Sequence, residues 1–310
     1  MYESRMRTTA RAALYLMPAM VILVVFKIYP IVRSFLMSFY TKYNYFTDVV
    51  SRYGLDNYAY IFRDPEFWRS MGNTFLFVVG VVPISIVLSL LIACLLNQKI
   101  RFRALFRTVF FLPFVTSVVA ISIVWRWIFH SQYGLLNYFL ELVGIPAVKW
   151  LTDPNFAMPA LVILAIWKGL GYNIVIFLAG LQNIDERYYL AARIDGAFGW
   201  QRFKRLTVPL LSGTTLFVSI IAIISSFKVF DEVYALFGGQ MGPAGSAETM
   251  VYYIYSKFYG SWNFGVASAA AYVLFLVIFV FTLIQLKFGS GGFPWKTKKY
   301  AVAEEGNGHG

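Results

Sequence analysis

Cysteine is all but missing from this chain. Cys94 is the only thiol, so no intrachain disulfide can form, and its apolar surroundings in sequence suit a small buried residue. Histidine is also scarce. His130 and His309 stand far apart, outside any cluster with ligand spacing, and no metal site is expected. Charged residues make up 14% of the chain, against about 25% in a soluble domain, and Asp and Glu number 15 against 27 Lys and Arg. The net charge of +12 does not read as a nucleic-acid surface, because long apolar runs separate the basic residues. A Gly-x-x-x-x-Gly-Lys-Ser/Thr string is absent, and Lys168-Gly169-Leu170-Gly171 is a lone glycine pair. The chain is therefore expected to carry no ATP site, no catalytic residue and no cofactor of its own.

What the sequence has in excess is apolar surface: 59% hydrophobic and 19% aromatic residues, with a mean hydropathy of +0.64. That surface has to face something other than water, and lipid suits it; Trp and Tyr collect at membrane interfaces. A helix needs about 20 apolar residues to cross about 30 Å of hydrocarbon. Residues 12–33, 73–96, 108–130, 156–181, 209–230 and 264–286 qualify. All read as helices, because a chain in lipid must satisfy its backbone internally, and the alternating ten-residue pattern of a barrel is not seen. The basic leader Arg5, Arg7 and Arg11 precedes an apolar run that continues past Phe26 with no small-x-small cleavage signal. This is the pattern of a retained first helix rather than a signal peptide.

The distribution of Lys and Arg orients the spans. With both termini in the cytoplasm, the inner segments hold Arg5, Arg7, Arg11, Lys99, Arg101, Arg103, Arg107, Arg187, Arg193, Arg202, Lys204, Arg205, Lys287, Lys296, Lys298 and Lys299. The outer segments hold only Lys42, Arg52, Arg63, Arg69, Lys149 and Lys257. Residues 54–65 have helical spacing and suit an interfacial helix, Gly238–Pro243 is a turn cluster, and the polar end Glu304–Gly310 reads as disordered. The chain thus divides into a cytoplasmic N-terminus (1–11), a first span with an external segment (12–72), a core (73–288) and a cytoplasmic tail (289–310).

The loop between the fourth and fifth spans carries the most information. Leu190, Ala191, Ile194, Ala197 and Phe198 recur at helical spacing, and most of the charges fall elsewhere. Gly196 interrupts the pattern where a glycine lets the backbone bend sharply. Two short helices making an apolar knob under the membrane are expected, shaped to dock into a groove.

This loop resembles the EAA loop of ABC importer permeases: Glu-Ala-Ala, three residues, Gly, nine residues, Ile, one residue, Leu-Pro. Ala191, Ala192, Gly196 and Pro209 fall in register, Leu206 and Val208 take the aliphatic positions, and Asp195-Gly196-Ala197 matches the sugar-importer branch. Leu190 replaces the leading glutamate. The resemblance to MalF-type carbohydrate permeases extends over about residues 12–288. It includes Leu14–Met20, Ile28-Tyr29-Pro30, Asp64–Trp68, Phe111-Leu112-Pro113, Tyr133–Asn137 and Phe227–Tyr234.

It implies an all-α membrane protein with six spans and a type I importer permease fold with a MetI-like core. It also implies a coupling helix at 183–208 in which Leu190, Ala191, Ala192, Asp195, Gly196, Ala197 and Pro209 engage a separate ATPase. The implied partners are a second, MalG-like permease in a heterodimer, an ATP-binding subunit dimer carrying ATP and Mg, and an extracellular or periplasmic solute-binding protein. The implied location is a bacterial or archaeal inner membrane, and the implied cargo is a sugar or oligosaccharide.

The resemblance implies substrate contacts near Gly171 and at Ser225 and Ser226, and with the hydroxyl, amide and aromatic groups that suit a sugar, a substrate path is expected along Trp167, Gly171, Asn173, Ser225, Ser226 and Lys228. Lys228 and Asp231, three apart, can instead pair on one helix face. Arg126, near a span end, can snorkel. Lys168, Lys228 and Arg126 keep glycerol phosphates and acidic oligosaccharides open beside polyols and neutral sugars. An ion-coupled secondary transporter should show internal repeats and discontinuous helices, and neither is evident in the sequence.

Overall fold

The computed structural model describes residues 2–44, 47, 49–98 and 100–291, so the polar end at 304–310 lies outside the described residues. α1 (Tyr2–Leu23) passes through a π turn at Val24–Ile28 into α2 (Tyr29–Ser38). From Arg11 to Ser38 this forms one apolar span whose most apolar stretch the rest of the chain leaves unburied, as lipid-facing side chains require. A short antiparallel hairpin follows, β1 (Tyr40–Asn44) with β2 (Val49–Tyr53), and then α3 (Asp56–Arg63) within the stretch expected to be an interfacial helix. The hairpin is a departure from an all-helical chain, confined to the link between the first two spans.

Three helices start in the same way, with an Asp side chain accepting the N–H two residues on. Asp64 accepts from Glu66 (3.0 Å) to open α4 (Pro65–Leu96), and Asp153 accepts from Asn155 (2.9 Å) to open α8 (Pro154–Gln182). Asp185 accepts from Arg187 (2.9 Å) to open α9 (Glu186–Ile194). In α4 and α8, proline fills the first helical position, where its missing N–H costs nothing.

Two of the expected spans are broken. α5 (Arg103–Val115) and α6 (Val118–Ile128) meet at 101°. Pro113 cannot donate in the last turn of α5, Thr116 and Ser117 leave helical geometry, and the Thr116 hydroxyl donates to the Leu112 carbonyl at 2.7 Å. After α7 (Leu135–Leu142), α8 and α9 come α10 (Gly199–Arg202), a π turn at Phe203–Thr207 and α11 (Val208–Leu210). This unit meets α12 (Ser212–Phe227) at 67°. α12 spans only about 24 Å, so the expected span at 209–230 is shorter and bent. Among the described residues, four helices are long and apolar enough to cross a membrane, or six with each bent pair taken as one span. The discontinuity missing from the sequence reading is therefore present, and it lies at Thr116–Ser117 and at Leu211, three and two residues beyond Pro113 and Pro209.

α13 (Asp231–Leu236), α14 (Met250–Tyr255), a π turn at Ser256–Gly260 and α15 (Phe264–Gly291) complete the chain. α4 lies along α8, with Phe77 and Val81 against Leu161 and Leu164, and Ala93 and Leu96 against Phe177 and Leu181. Ala269 and Ala270 of α15 are fully buried among Phe67, Met71 and Tyr253, where small side chains allow close approach.

One end of the bundle is fastened by polar side chains. Lys257 Nζ lies 2.7 Å from Glu66 and 3.2 Å from Asp64, and the Tyr253 hydroxyl donates to Asp64 at 2.8 Å. Arg69 pairs with the fully buried Glu248 at 2.8 Å, and Asn73 donates to the carbonyls of Gly245 and Glu248. Burial alone would raise the Asp64 carboxyl, yet hydrogen bonds from Tyr253 and the Glu66 N–H, and then Lys257, hold it below its ordinary 3.8.

Lys257→Met should lower the stability of the purified protein by about 1.5–3 kcal/mol, the usual worth of a hydrogen bond to a charged group, read as a thermal melt in detergent. Because the folded Asp64 value is depressed, its contribution is complete above the ordinary 3.8 and is lost as pH falls through the folded value. The melting temperature of the wild type should therefore fall below about pH 4 more steeply than that of Asp64→Asn. Parallel curves for the two proteins would rule out that contribution.

Candidate functional site

Two places concentrate the sequence-predicted residues: a cavity between α8 and α12, and the corner between α9 and α10. The cavity, about 260 Å³, opens among the spans. α8 brings Lys168, Tyr172 and Asn173 to it, all within about one and a half helical turns. α12 brings Ala222, Ser225 and Ser226, and α13 brings Glu232. Phe114, at the end of α5 just before the 101° break, stacks on Tyr172 with ring centroids 4.9 Å apart. Lys168 Nζ and Glu232 Oε1 form an ion pair at 2.7 Å across the cavity wall. Asn173 and Ser226 are each only 6% exposed. Among the described residues, neither their side chains nor that of Ser225 has a hydrogen-bond partner. Asn173 and Ser226 sit in buried positions and Ser225 is exposed beside them, so one cavity carries an amide and two hydroxyls that a polar guest can engage.

The other expected path residues lie elsewhere. Trp167 packs on Trp125, ring centroids 5.5 Å apart, and points about 100° around α8 from Lys168. A Cβ on Gly171 would collide with the Phe110 carbonyl oxygen, so this glycine lets α5 lie against α8. Lys228 follows the last residue of α12 and Asp231 opens α13, so the two do not share a helix, and no ion pair joins them among the described residues. Glu232, Phe114 and Ser85, which also line the cavity, were not identified from sequence. Glu232 is 64 positions from Lys168, and no local spacing rule reaches that far.

At the α9–α10 corner, Gly196 has φ +73°. Its N–H donates to the Arg193 carbonyl at 3.1 Å, and the Ala197 N–H donates to the Ala192 carbonyl at 2.9 Å. This is a Schellman turn with glycine at its left-handed position. Nothing lies within 4 Å of where a Cβ would sit, so the demand for glycine is conformational and not one of space. Beyond the turn, the Phe198 N–H donates to Gln201 Oε1 at 3.4 Å and opens α10. Ile194 is 86% exposed, Phe198 78% and Trp200 70%, and Leu190 and Asp195 are exposed as well. Ala191 is exposed, while Ala192 and Ala197 are half-buried. Pro209 stands in α11, beside the bend into α12. Behind the corner lies a cavity of about 580 Å³ lined by Arg193, Arg202, Glu186 and Thr207. Tyr189 bridges it, its hydroxyl 3.1 Å from that of Thr207.

This is a helical membrane protein that exposes an apolar corner beyond its spans and holds among them a cavity in which a few polar groups face a mainly apolar lining. Residues 85–288 match the family described as binding-protein-dependent transport system inner membrane component. The chain is 39% identical to the lactose transport system permease protein LacF of Rhizobium radiobacter, over 90% of this chain and 97% of the relative. It is 36% identical to the arabinooligosaccharides transport system permease protein AraP of Bacillus subtilis, over 91% and 90%. It is 32% identical to the trehalose/maltose transport system permease protein MalF of Thermococcus litoralis, over 89% and 92%. Among solved structures, a chain of a bacterial ABC transporter involved in the import of the acidic polysaccharide alginate superposes with a TM-score of 0.80. The superposition covers 93% of this chain and 98% of that one, and at 23% identity it defines the fold. The chain belongs to the family of binding-protein-dependent inner-membrane transport components: it is a permease subunit of an ABC transporter.

Gly171→Ala should loosen the α5–α8 contact and destabilise the folded protein by about 1–3 kcal/mol, the range for overpacking. A drop in the thermal melt of the detergent-purified chain checks this, and an unchanged melt would return Gly171 to the candidate path residues.

Proposed function

We propose that this chain forms half of the translocation path of an ATP-driven, binding-protein-dependent importer of a sugar or oligosaccharide. The observation that carries the proposal is the convergence of Asn173, Ser225 and Ser226, whose side chains have no hydrogen-bond partner among the described residues, on one cavity among apolar spans. Hydroxyl and amide groups beside the Tyr172 ring suit a guest with hydrogen-bonding edges and apolar faces. The cavity's 260 Å³ is below the ~300–1,000 Å³ of a complete ligand pocket, as expected of one wall of a path shared with a second subunit. The names of the LacF, AraP and MalF relatives point to the same class of cargo.

In this reading a second, homologous permease completes the path in a heterodimer, and a dimer of ATP-binding subunits carries ATP and Mg. A solute-binding protein delivers cargo at the outer face. The chain spans a bacterial or archaeal inner membrane with both termini in the cytoplasm. Its N-terminal segment (1–11), first span with external segment (12–72), core (73–288) and tail (289–310) serve as units of that assembly. The α9–α10 corner, with Leu190, Ala191, Ala192, Asp195, Gly196 and Ala197, and with Pro209 at the bend that follows, is the coupling element that seats on an ATP-binding subunit. Exposed Ile194, Phe198 and Trp200 supply apolar area for that seat. With Leu190 in place of the motif glutamate, this seat is held by packing more than by charge. Closure of the ATPase dimer on ATP draws the coupling elements together and turns the cavity outward, and hydrolysis resets it inward. Each step needs a ligand with different affinity for the two states.

The test is purification of the complex through a tag on this chain, followed by uptake into vesicles. An ATPase subunit should co-purify, and uptake should require ATP. Uptake that persists without ATP and collapses with an ion gradient would overturn the proposal. Gly196→Pro forces φ toward −65° and removes the N–H bonded to Arg193. It should leave the chain in the membrane and abolish ATP-driven uptake, and normal uptake would dismiss the corner as the coupling element. Ser226→Leu should raise the apparent KM about tenfold, the effect of roughly 1.4 kcal/mol; unchanged kinetics would remove Ser226 from the path.

A further inference from the structure

The cavity between α8 and α12 holds one cation and one anion, and they hold each other. Among the described residues, Lys168 and Glu232 are its only charged lining residues, their charged atoms 2.7 Å apart and their side chains 17% and 18% exposed. Lys228 and Asp231, near in sequence, are both exposed and do not line it. The lining of this cavity therefore carries one charge of each sign and is electrically neutral, although the molecule as a whole carries +12. Resting on the importer reading above, we infer that the Lys168–Glu232 pair selects an uncharged saccharide and rejects acidic ones.

A sugar hydroxyl can accept from the Lys168 ammonium and donate to the Glu232 carboxylate at once, leaving the ion pair intact. Asn173 offers both an amide N–H and a carbonyl to further hydroxyls, and Ser225 and Ser226 offer hydroxyls of their own. The stacked Phe114–Tyr172 pair forms an aromatic wall for the apolar face of a pyranose ring. A uronate meets the same groups differently. Its carboxylate has to draw Lys168 away from Glu232, and it then stands beside a second carboxylate with one cation between them. In a cavity among apolar spans, water screens that repulsion poorly. The carboxylate of Glu232 is thus the repulsive element of a specificity filter, and the 2.7 Å contact with Lys168 holds it in place.

The experiment uses the purified complex, this chain with its co-purifying permease and ATP-binding subunits. It measures equilibrium binding of radiolabelled lactose, maltose, arabinobiose, galactobiose and digalacturonate, the last differing from galactobiose by its carboxylates. At least one neutral disaccharide should bind, and digalacturonate should bind at least about tenfold more weakly than the best of them. Glu232→Gln frees Lys168 and should raise digalacturonate affinity relative to the neutral sugar by about tenfold. The double variant Lys168→Glu, Glu232→Lys, which restores a pair in reverse, should restore the wild-type preference. Should Glu232→Gln not assemble, the wild-type and reversed-pair ratios decide. Equal binding of acidic and neutral probes by the wild type, or a ratio that Glu232→Gln leaves unmoved, overturns the inference and leaves the importer reading standing. Binding of none of the probes, with no ATP-driven uptake of any saccharide by vesicles, overturns the importer reading and the inference with it.

Discussion

The fit of α8 against α4 is the constraint on which the rest of the structure depends. In water, burying Phe77, Leu161, Leu164 and Phe177 would stabilise the pair by roughly 1.5–3 kcal/mol for each side chain. In lipid that drive largely disappears, because the acyl chains are as apolar as leucine, and association rests on close packing. The faces are accordingly shaped for contact: Gly80 lies against Val162, and Ala157, Ala160 and Ala93 are fully buried. With α8 held in this way, Lys168, Asn173 and Tyr172 line the cavity opposite residues of α12 and α13. Gly171, one position before Tyr172, brings α5 close enough for Phe114 to stack on Tyr172.

Much of this was legible in the sequence because lipid imposes a simple rule. Residues 73–96, 156–181 and 264–286 are apolar runs of the length a bilayer demands, and each falls within one long helix. The α9–α10 corner was legible for a different reason. A left-handed turn after a helix calls for glycine, and Gly196 has the φ of +73° that its place in the pattern suggested. Family resemblance reached the same region through Ala191, Ala192 and Pro209.

What sequence did not give depends on contacts between distant segments or on where helices stop. Lys228 and Asp231 look like a pair only if one helix carries both, and α12 ends at Phe227. The partner of Lys168 is Glu232, brought to it by the turn at Lys228–Phe230. Trp167 is next to Lys168 in sequence, but one residue is about 100° on a helix, and it faces Trp125 instead. The hairpin at Tyr40–Tyr53 escaped notice because its strands are short, and the β1 register slips at Lys42. The breaks at Thr116–Ser117 and Leu211 lie inside apolar runs that hydropathy alone treats as continuous.

The two ends of the bundle are built to different stiffness. Near α3 and α14, ionic and hydrogen-bonded fasteners join Lys257 to Asp64 and Glu66, Arg69 to Glu248, and Asn73 to the backbone of the Gly238–Glu248 loop. At the opposite end, α9 and α10 stand off from the spans over a void of about 580 Å³, bridged by the Tyr189–Thr207 contact. A body clamped at one end and slack at the other pivots like a pair of tongs. Under the proposed coupling role, a push on the α9–α10 corner would act through a long arm, with the clamped end as fulcrum and the cavity halfway along widening or narrowing.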